Sequence, residues 1–149
     1  MRDLIIKQEL LNNARNISTS IDALYKPIVE KRGLTVIQIR ILTSIVHCEH
    51  ATVGVLSKTI DMGCGNLSNM LKKLEKEGYV KRKRSLLDER VVEIKLTENG
   101  SYVLRSIEDD LYEKYGCVLE NRTEDELSII VAGLEKLNDL LKELENIIC

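Results

Sequence analysis

The 149-residue chain has no Phe and no Trp, only five Tyr, and a single Pro, at position 27. Without large aromatics the core must be built from Leu, Ile and Val, and an aromatic stacking pocket has few residues to draw on. One proline and eight glycines leave no Pro- or Gly-rich linker, and no repeat or low-complexity tract is present. Residues 1–149 therefore read as one domain, long enough to bury roughly 70% of its unfolded surface. The absence of any run of about 18 apolar residues excludes a transmembrane helix. The N-terminal stretch MRDLIIKQELL is charged where a signal peptide would be apolar. A cytoplasmic protein without membrane contact is expected.

Catalytic signatures are missing as well. There is no Gly-rich phosphate loop, no nucleophile elbow, and no evident carboxylate or Ser–His pair; Gly63-Cys64-Gly65 is a short turn. The expectation is a non-enzyme without cofactor. His47-Cys48-Glu49-His50 gathers both histidines, but adjacent positions at one helix end cannot converge on one ion, so no metal is expected. The four cysteines, 48, 64, 117 and 149, do not suggest disulfides in a cytosolic chain.

Helical patterning runs through most of the sequence. A first helix is predicted from about Asp3 to Glu30, with Leu4, Leu11, Ile17, Ile21, Leu24 and Ile28 near one face and Pro27 bending or ending it. Gly33 breaks the chain. Thr35 and Gln38 have the spacing of a capping box and open a second helix to about Cys48. Thr52 can cap a third through Ile60, and Asp61-Met62-Gly63 forms the turn. A fourth helix is predicted from about Cys64 to Glu77, with Leu67, Met70, Leu71 and Leu74 inward, stopping at Gly78. Two strands follow, Tyr79 to Arg84 and Val91 to Leu96, joined by Ser85 to Arg90; Val92, Ile94 and Leu96 share one face. Thr97 caps a fifth helix ending before Gly116, and Thr123 to Glu126 is a second capping box opening the last helix. That helix, roughly 36 Å long, carries Leu127, Ile130, Leu134, Leu137, Leu141, Leu144 and Ile148 in a 3-4 repeat, the seam of a helix packing lengthwise on others. Such apolar faces fit either a dimer interface of the first, fifth and sixth helices or a closed bundle within one chain.

Charge singles out one region. The formal net charge is −2, yet Lys58 to Arg90 holds nine basic and five acidic residues, and Ser106 to Cys149 four basic and twelve acidic. The local excess of base coincides with the fourth helix and the hairpin, where Lys81, Arg82, Lys83 and Arg84 are consecutive. A helix able to enter a major groove, followed by a basic ribbon able to reach phosphates, is a unit for reading DNA. The acidic end should point away from DNA.

The order of elements, together with Leu74-x-x-x-Gly78-Tyr79-Val80-x-Arg82, Asp88-x-Arg90, Leu96-Thr97-x-x-Gly100 and Gly33-Leu34-Thr35-x-x-Gln38, resembles the MarR family of transcription regulators over nearly the whole chain. The resemblance implies a mainly α fold with a small β-hairpin wing. It comprises a winged helix-turn-helix part, 35–100, and N- and C-terminal dimerisation helices, 1–32 and 101–149. It implies a homodimeric repressor on a pseudo-palindromic duplex, released by a small-molecule effector. Ser68 matches the family's small hydroxyl facing a phosphate or base edge. Asn69 stands where many members have Arg, and Asn pairs with adenine where Arg pairs with guanine. Asn66, Lys72 and Lys73 are further candidates on or beside the exposed face. Arg82, Lys83 and Arg84 would hold phosphates. Arg90 matches the wing arginine that enters the minor groove, and Asp88 its orienting partner. Effectors of the family bind between the dimer helices and the wing domain, where Tyr25 and Arg40 are candidates. Two other readings remain. Cys64, at the first turn of the reading helix where N–H groups and the helix dipole stabilise a thiolate, is either a redox switch or a small apolar filler. The winged helix could also serve as a protein-docking module, against which the basic wing argues.

Overall fold

The computed structural model describes the backbone of residues 2–84 and 91–148, and the side chains within 8–84 and 91–144. Six helices and two strands follow in the order α1 (Arg2–Glu30), α2 (Val36–His47), α3 (Val53–Ile60), α4 (Cys64–Lys76), β1 (Val80–Arg84), β2 (Val92–Leu96), α5 (Glu98–Glu120) and α6 (Glu124–Ile148). The loop predicted at Ser85 to Arg90, Cys149, and the side chains of Leu4 and Ile148 lie outside the described residues.

Start and stop signals act as their chemistry dictates. Thr35 and Gln38 form the reciprocal capping box of α2, and the Val55 N–H donates to Thr52 Oγ1 at 3.2 Å to open α3. At α6 the Glu126 N–H donates to Thr123 Oγ1 and the Thr123 N–H to Glu126 Oε2. Three helices close with the same pair of backbone bonds, one spanning six residues and one nested within it. In each, the residue after the last turn is left-handed: Gly33 (φ 68°), Asp61 (φ 54°) and Gly78 (φ 79°). Asp is one of the few side chains that tolerates this conformation.

α1 ends at Glu30, where the expected range ends, with Pro27 inside its last turn, and the chain turns at Gly33. One expectation about helix ends needs correcting. α5 does not stop before Gly116 but runs to Glu120. A glycine inside a helix costs only about 1 kcal/mol. Here its missing side chain admits the Tyr112 ring, which a Cβ at 116 would meet at 3.1 Å. The Tyr112 hydroxyl donates to Glu120 one turn beyond the glycine, and that carboxylate raises the phenol above its ordinary pKa.

The chain divides into two compact units, Met1–Leu111 and Tyr112–Cys149, the boundary falling within α5. Among the described residues the first contains the whole buried apolar core: Ile28, Val29, Leu34, Ile39, Ile41, Leu42, Ile45, Leu56, Leu67, Leu71, Leu74, Val80, Ile94, Val103 and Ile107, with Ala51. It is aliphatic, as the lack of Phe and Trp requires. In it α2 packs against α1, α3 and β2, and α3 against α4 and β2. β1 and β2 pair antiparallel, with Val80 opposite Leu96 and Arg84 opposite Val92. The Ile94 N–H donates to the Ala51 carbonyl at 2.7 Å, so the α2–α3 connection braces the hairpin. Of the three apolar residues predicted on one face of β2, only Ile94 is fully buried; Leu96 is half-buried and Val92 exposed. In the second unit, no side chain is buried among the described residues.

Arg32 ties the end of α1 to α5. Its guanidinium donates to the Ile28 and Ser106 carbonyls and to Ser106 Oγ, and pairs with Asp110 at 2.8 Å. That contact holds the Asp110 carboxyl below its usual pKa.

The base of the hairpin is closed by a second knot. The Thr97 N–H donates to the Tyr79 carbonyl at 3.0 Å. Its hydroxyl lies 2.6 Å from the Gly78 carbonyl and accepts the Gly100 N–H at 3.0 Å. Gly100 passes so close that a Cβ would stand 2.1 Å from the Tyr79 oxygen. Gly100→Ala should therefore destabilise the protein by about 3 kcal/mol, at the upper end for overpacking. Urea unfolding measures this directly, and a change below about 0.5 kcal/mol, the range of ordinary surface substitutions, would contradict the knot.

Candidate nucleic-acid interface

α4 is held by one face and offers the other. Leu67, Leu71 and Leu74 are fully buried, at the spacing that sets three side chains on one side of a helix. Met70, predicted inward, is half-buried. Asn66, Asn69, Lys72, Lys73 and Lys76 are exposed, and Ser68 is half-buried. Lys73 lies 3.8 Å from Glu77 one turn on. Gly63 provides no side-chain cap at the start of α4, so the first N–H groups of the helix have no partner from it.

Strand alternation splits the basic run of the hairpin. Arg82 and Arg84 share the side of β1 that carries buried Val80, and with Val53, Val92 and Ile94 they line an open concavity of about 420 Å³. Lys81 and Lys83 lie on the opposite side of the strand. Lys83 stands across from Glu93. Glu93 contacts Lys95 at 3.3 Å and His50 Nδ1 at 3.3 Å, and Lys95 foremost, then His50, holds its carboxyl below the ordinary pKa. Arg82 is engaged by Glu75 of α4, whose carboxylate lies 3.2 Å from both the Arg82 backbone nitrogen and its Nε. The Glu75 contact was not foreseen from sequence. Its only trace there is an acid three residues before Gly78 and a base four after it. Asp88 and Arg90 lie outside the described residues.

The remaining candidates are placed as follows. Tyr25 and Arg40 come together in a cavity of about 330 Å³ among α1, α2 and α3, with Ile21, Asp22, Val36, Ile39, Thr43, Ser44, Thr59 and Ile60. Arg40 pairs there with Asp22 at 2.6 Å, a partner 18 residues away that periodicity alone does not reveal. Cys64 is exposed at the first position of α4, and its thiol donates to Ser57 Oγ at 3.2 Å. His50 turns to Glu93 and not to Cys48. Among the described residues no cluster of His, Cys, Asp and Glu suits a metal, and no helix is long and apolar enough to cross a membrane.

Residues 23–107 match the family described as Transcriptional regulator SarA/Rot. The chain is 34% identical over 94 residues to the HTH-type transcriptional regulator SarZ of Staphylococcus haemolyticus, covering 61% of this chain and 64% of that protein. It is 39% identical over 77 residues to the organic hydroperoxide resistance transcriptional regulator of Bacillus subtilis, covering 52% of each. The chain thus spans about half to two thirds of the length of these two relatives. Its fold superposes on a mutant Escherichia coli MarR complexed with operator DNA with a TM-score of 0.68 and 26% identity, covering 87% of this chain and 93% of that one. The architecture is that of the MarR winged helix-turn-helix regulators.

If the ribbon meets phosphates, Lys83→Ala should weaken binding to all duplexes alike. It should also lower the slope of log affinity against log salt by about one. Fluorescence anisotropy over a salt series reads both, and an unchanged slope would take Lys83 off the backbone.

Proposed function

The chain belongs to the SarA/Rot family of transcriptional regulators, with the winged-helix fold of MarR proteins, and we propose on this footing that it is a homodimeric, sequence-specific DNA-binding repressor. It would read a pseudo-palindromic operator and be released by a small ligand. Family and fold are those of regulators, not enzymes. The observation that carries the reading is the junction of α4 and the hairpin. A helix buried on three leucines and polar outside is joined through the Gly78 turn to a ribbon with four consecutive bases.

In this reading α4 enters the major groove. Asn69 pairs with adenine N6 and N7, and Ser68 and Asn66 reach a base edge or a phosphate. Lys72 and Lys73 flank them along the backbone. The start of α4, left open by Gly63, receives a phosphate oxygen on its N–H groups. Lys83 and Arg84 hold the neighbouring strand, and Arg90, oriented by Asp88, enters a minor groove whose narrow A·T form attracts arginine. That a MarR protein of the same fold is complexed with operator DNA supports binding to a duplex.

Dimerisation is supported by apolar faces that a single chain leaves uncovered. α1 exposes Leu11 (53%), Ile17 and Ile21. α6 exposes Ile130 (54%), Leu134 and Leu144. The proposed dimerisation part is therefore 1–32 with 101–149, and the DNA-reading part 35–100. Release is supported by the Tyr25–Arg40 cavity, whose ion pair and apolar lining suit an amphipathic effector. That cavity favours a ligand over oxidation of Cys64 as the switch. A regulator of this kind acts in the cytoplasm.

Two measurements test the proposal. Sedimentation should give twice the chain mass of 17.0 kDa at micromolar concentration and two chains per bound duplex; a monomer in both states would contradict the dimer. Arg90→Ala should cost about 1–3 kcal/mol of binding, the value of one good groove contact, and relax the A·T preference. Unchanged affinity and preference would overturn the wing assignment.

A further inference from the structure

An acid on the reading helix works against DNA binding unless it does something else. Glu75 lies on the flank of α4 shared with Ser68 and Lys72, which precede it by seven and three residues. One carboxylate oxygen accepts the Arg82 backbone N–H at 3.2 Å, and the other lies 3.2 Å from Arg82 Nε. Beyond Val80, β1 is exposed along its whole length; at the level of Arg82 it is the paired strand, through buried Ile94, that reaches the core. The Glu75 carboxylate grips β1 two residues beyond Val80.

We propose that Glu75 is a positioning residue for DNA reading, which by gripping Arg82 through backbone and side chain fixes the angle between α4 and the wing. The inference rests on the DNA-reading function proposed above. Arg82 then acts through this grip and not as a free phosphate contact beside Lys83 and Arg84. Loss of the grip has opposite effects on two kinds of binding. A loosened wing weakens the operator complex, which needs helix and wing in adjacent grooves at once. Removing a negative charge and releasing an arginine strengthens attraction to any duplex.

The test compares wild type, Glu75→Ala, Glu75→Gln, Arg82→Ala, the Glu75→Ala/Arg82→Ala double variant and Glu77→Gln. The probes are a duplex enriched from a random pool and a scrambled duplex of equal length. Glu77→Gln removes a like charge from the same helix end without touching Arg82. Glu75→Ala should lose about fivefold or more on the enriched duplex, the range for a coupled pair, while holding or gaining on the scrambled one. Glu75→Gln, which keeps the helix shape and an acceptor for the Arg82 N–H, should fall between it and wild type, and carries the comparison if Glu75→Ala unfolds. Arg82→Ala should show the same drop in discrimination, with no further drop in the double variant. Glu77→Gln should keep the wild-type ratio. Equal gains on both duplexes for Glu75→Ala, or losses that add in the double variant, would overturn the positioning role. A wild-type protein that does not discriminate the two duplexes would instead contradict the DNA-reading function itself.

Discussion

The Tyr79 carbonyl is the point on which the reading head depends. It accepts the Thr97 N–H and lies beside the Thr97 hydroxyl, and it leaves no room for a side chain at Gly100. The chain has just left α4 through the left-handed Gly78 and is about to enter the hairpin. When it returns, 18 residues later, it is fastened to its own departure point and starts α5 there. Two sequence patterns, Gly78-Tyr79 and Thr97-x-x-Gly100, are thus halves of one contact. The hairpin between them is free to carry charge because its base is held by backbone.

Magnitudes separate what holds the unit together from what tunes it. Each fully buried leucine of α4 contributes about 1.5–3 kcal/mol, so Leu67, Leu71 and Leu74 outweigh any single polar contact nearby. A partly exposed ion pair such as Glu75 with Arg82 is worth about 1 kcal/mol or less to stability. It matters for direction: past Val80 the β1 side chains are exposed, and Glu75 ties that strand to α4 while buried Ile94 anchors its partner. The same division applies to the Asp22–Arg40 pair beside the cavity. Both its side chains are nearly half exposed, so it shapes the site without holding the fold.

Local signals made much of the architecture readable before any coordinates. The Thr35–Gln38, Thr52 and Thr123–Glu126 caps, and the glycines at 33 and 78, act through atoms a few residues apart, and these elements begin and end close to where they are expected. Gly116 misled because its value lies in admitting a ring on its own helix, not in a break. The grip of Glu75 on Arg82 and the meeting of Asp22 with Arg40 escaped because each depends on elements whose relative placement is set by packing. Tyr25 and Arg40 were legible as candidates; the Thr59 and Ile60 walls of their cavity were not. The DNA-facing assignments of Ser68, Asn69 and Arg90 rest on family pattern, and the structure adds an exposed Asn69 on a helix buried along its other side.

The proposed function requires that α4 and the hairpin act together to read a duplex, twice, in a symmetric dimer. Selection of bound duplexes from a random pool, with reduced protein at moderate salt, tests it most directly. The expected product is an inverted repeat whose half-sites lie about one helical turn apart, roughly 10 base pairs, with adenine opposite Asn69 and an A·T flank for the wing. Enrichment of no sequence, with only weak and salt-sensitive binding, would contradict it.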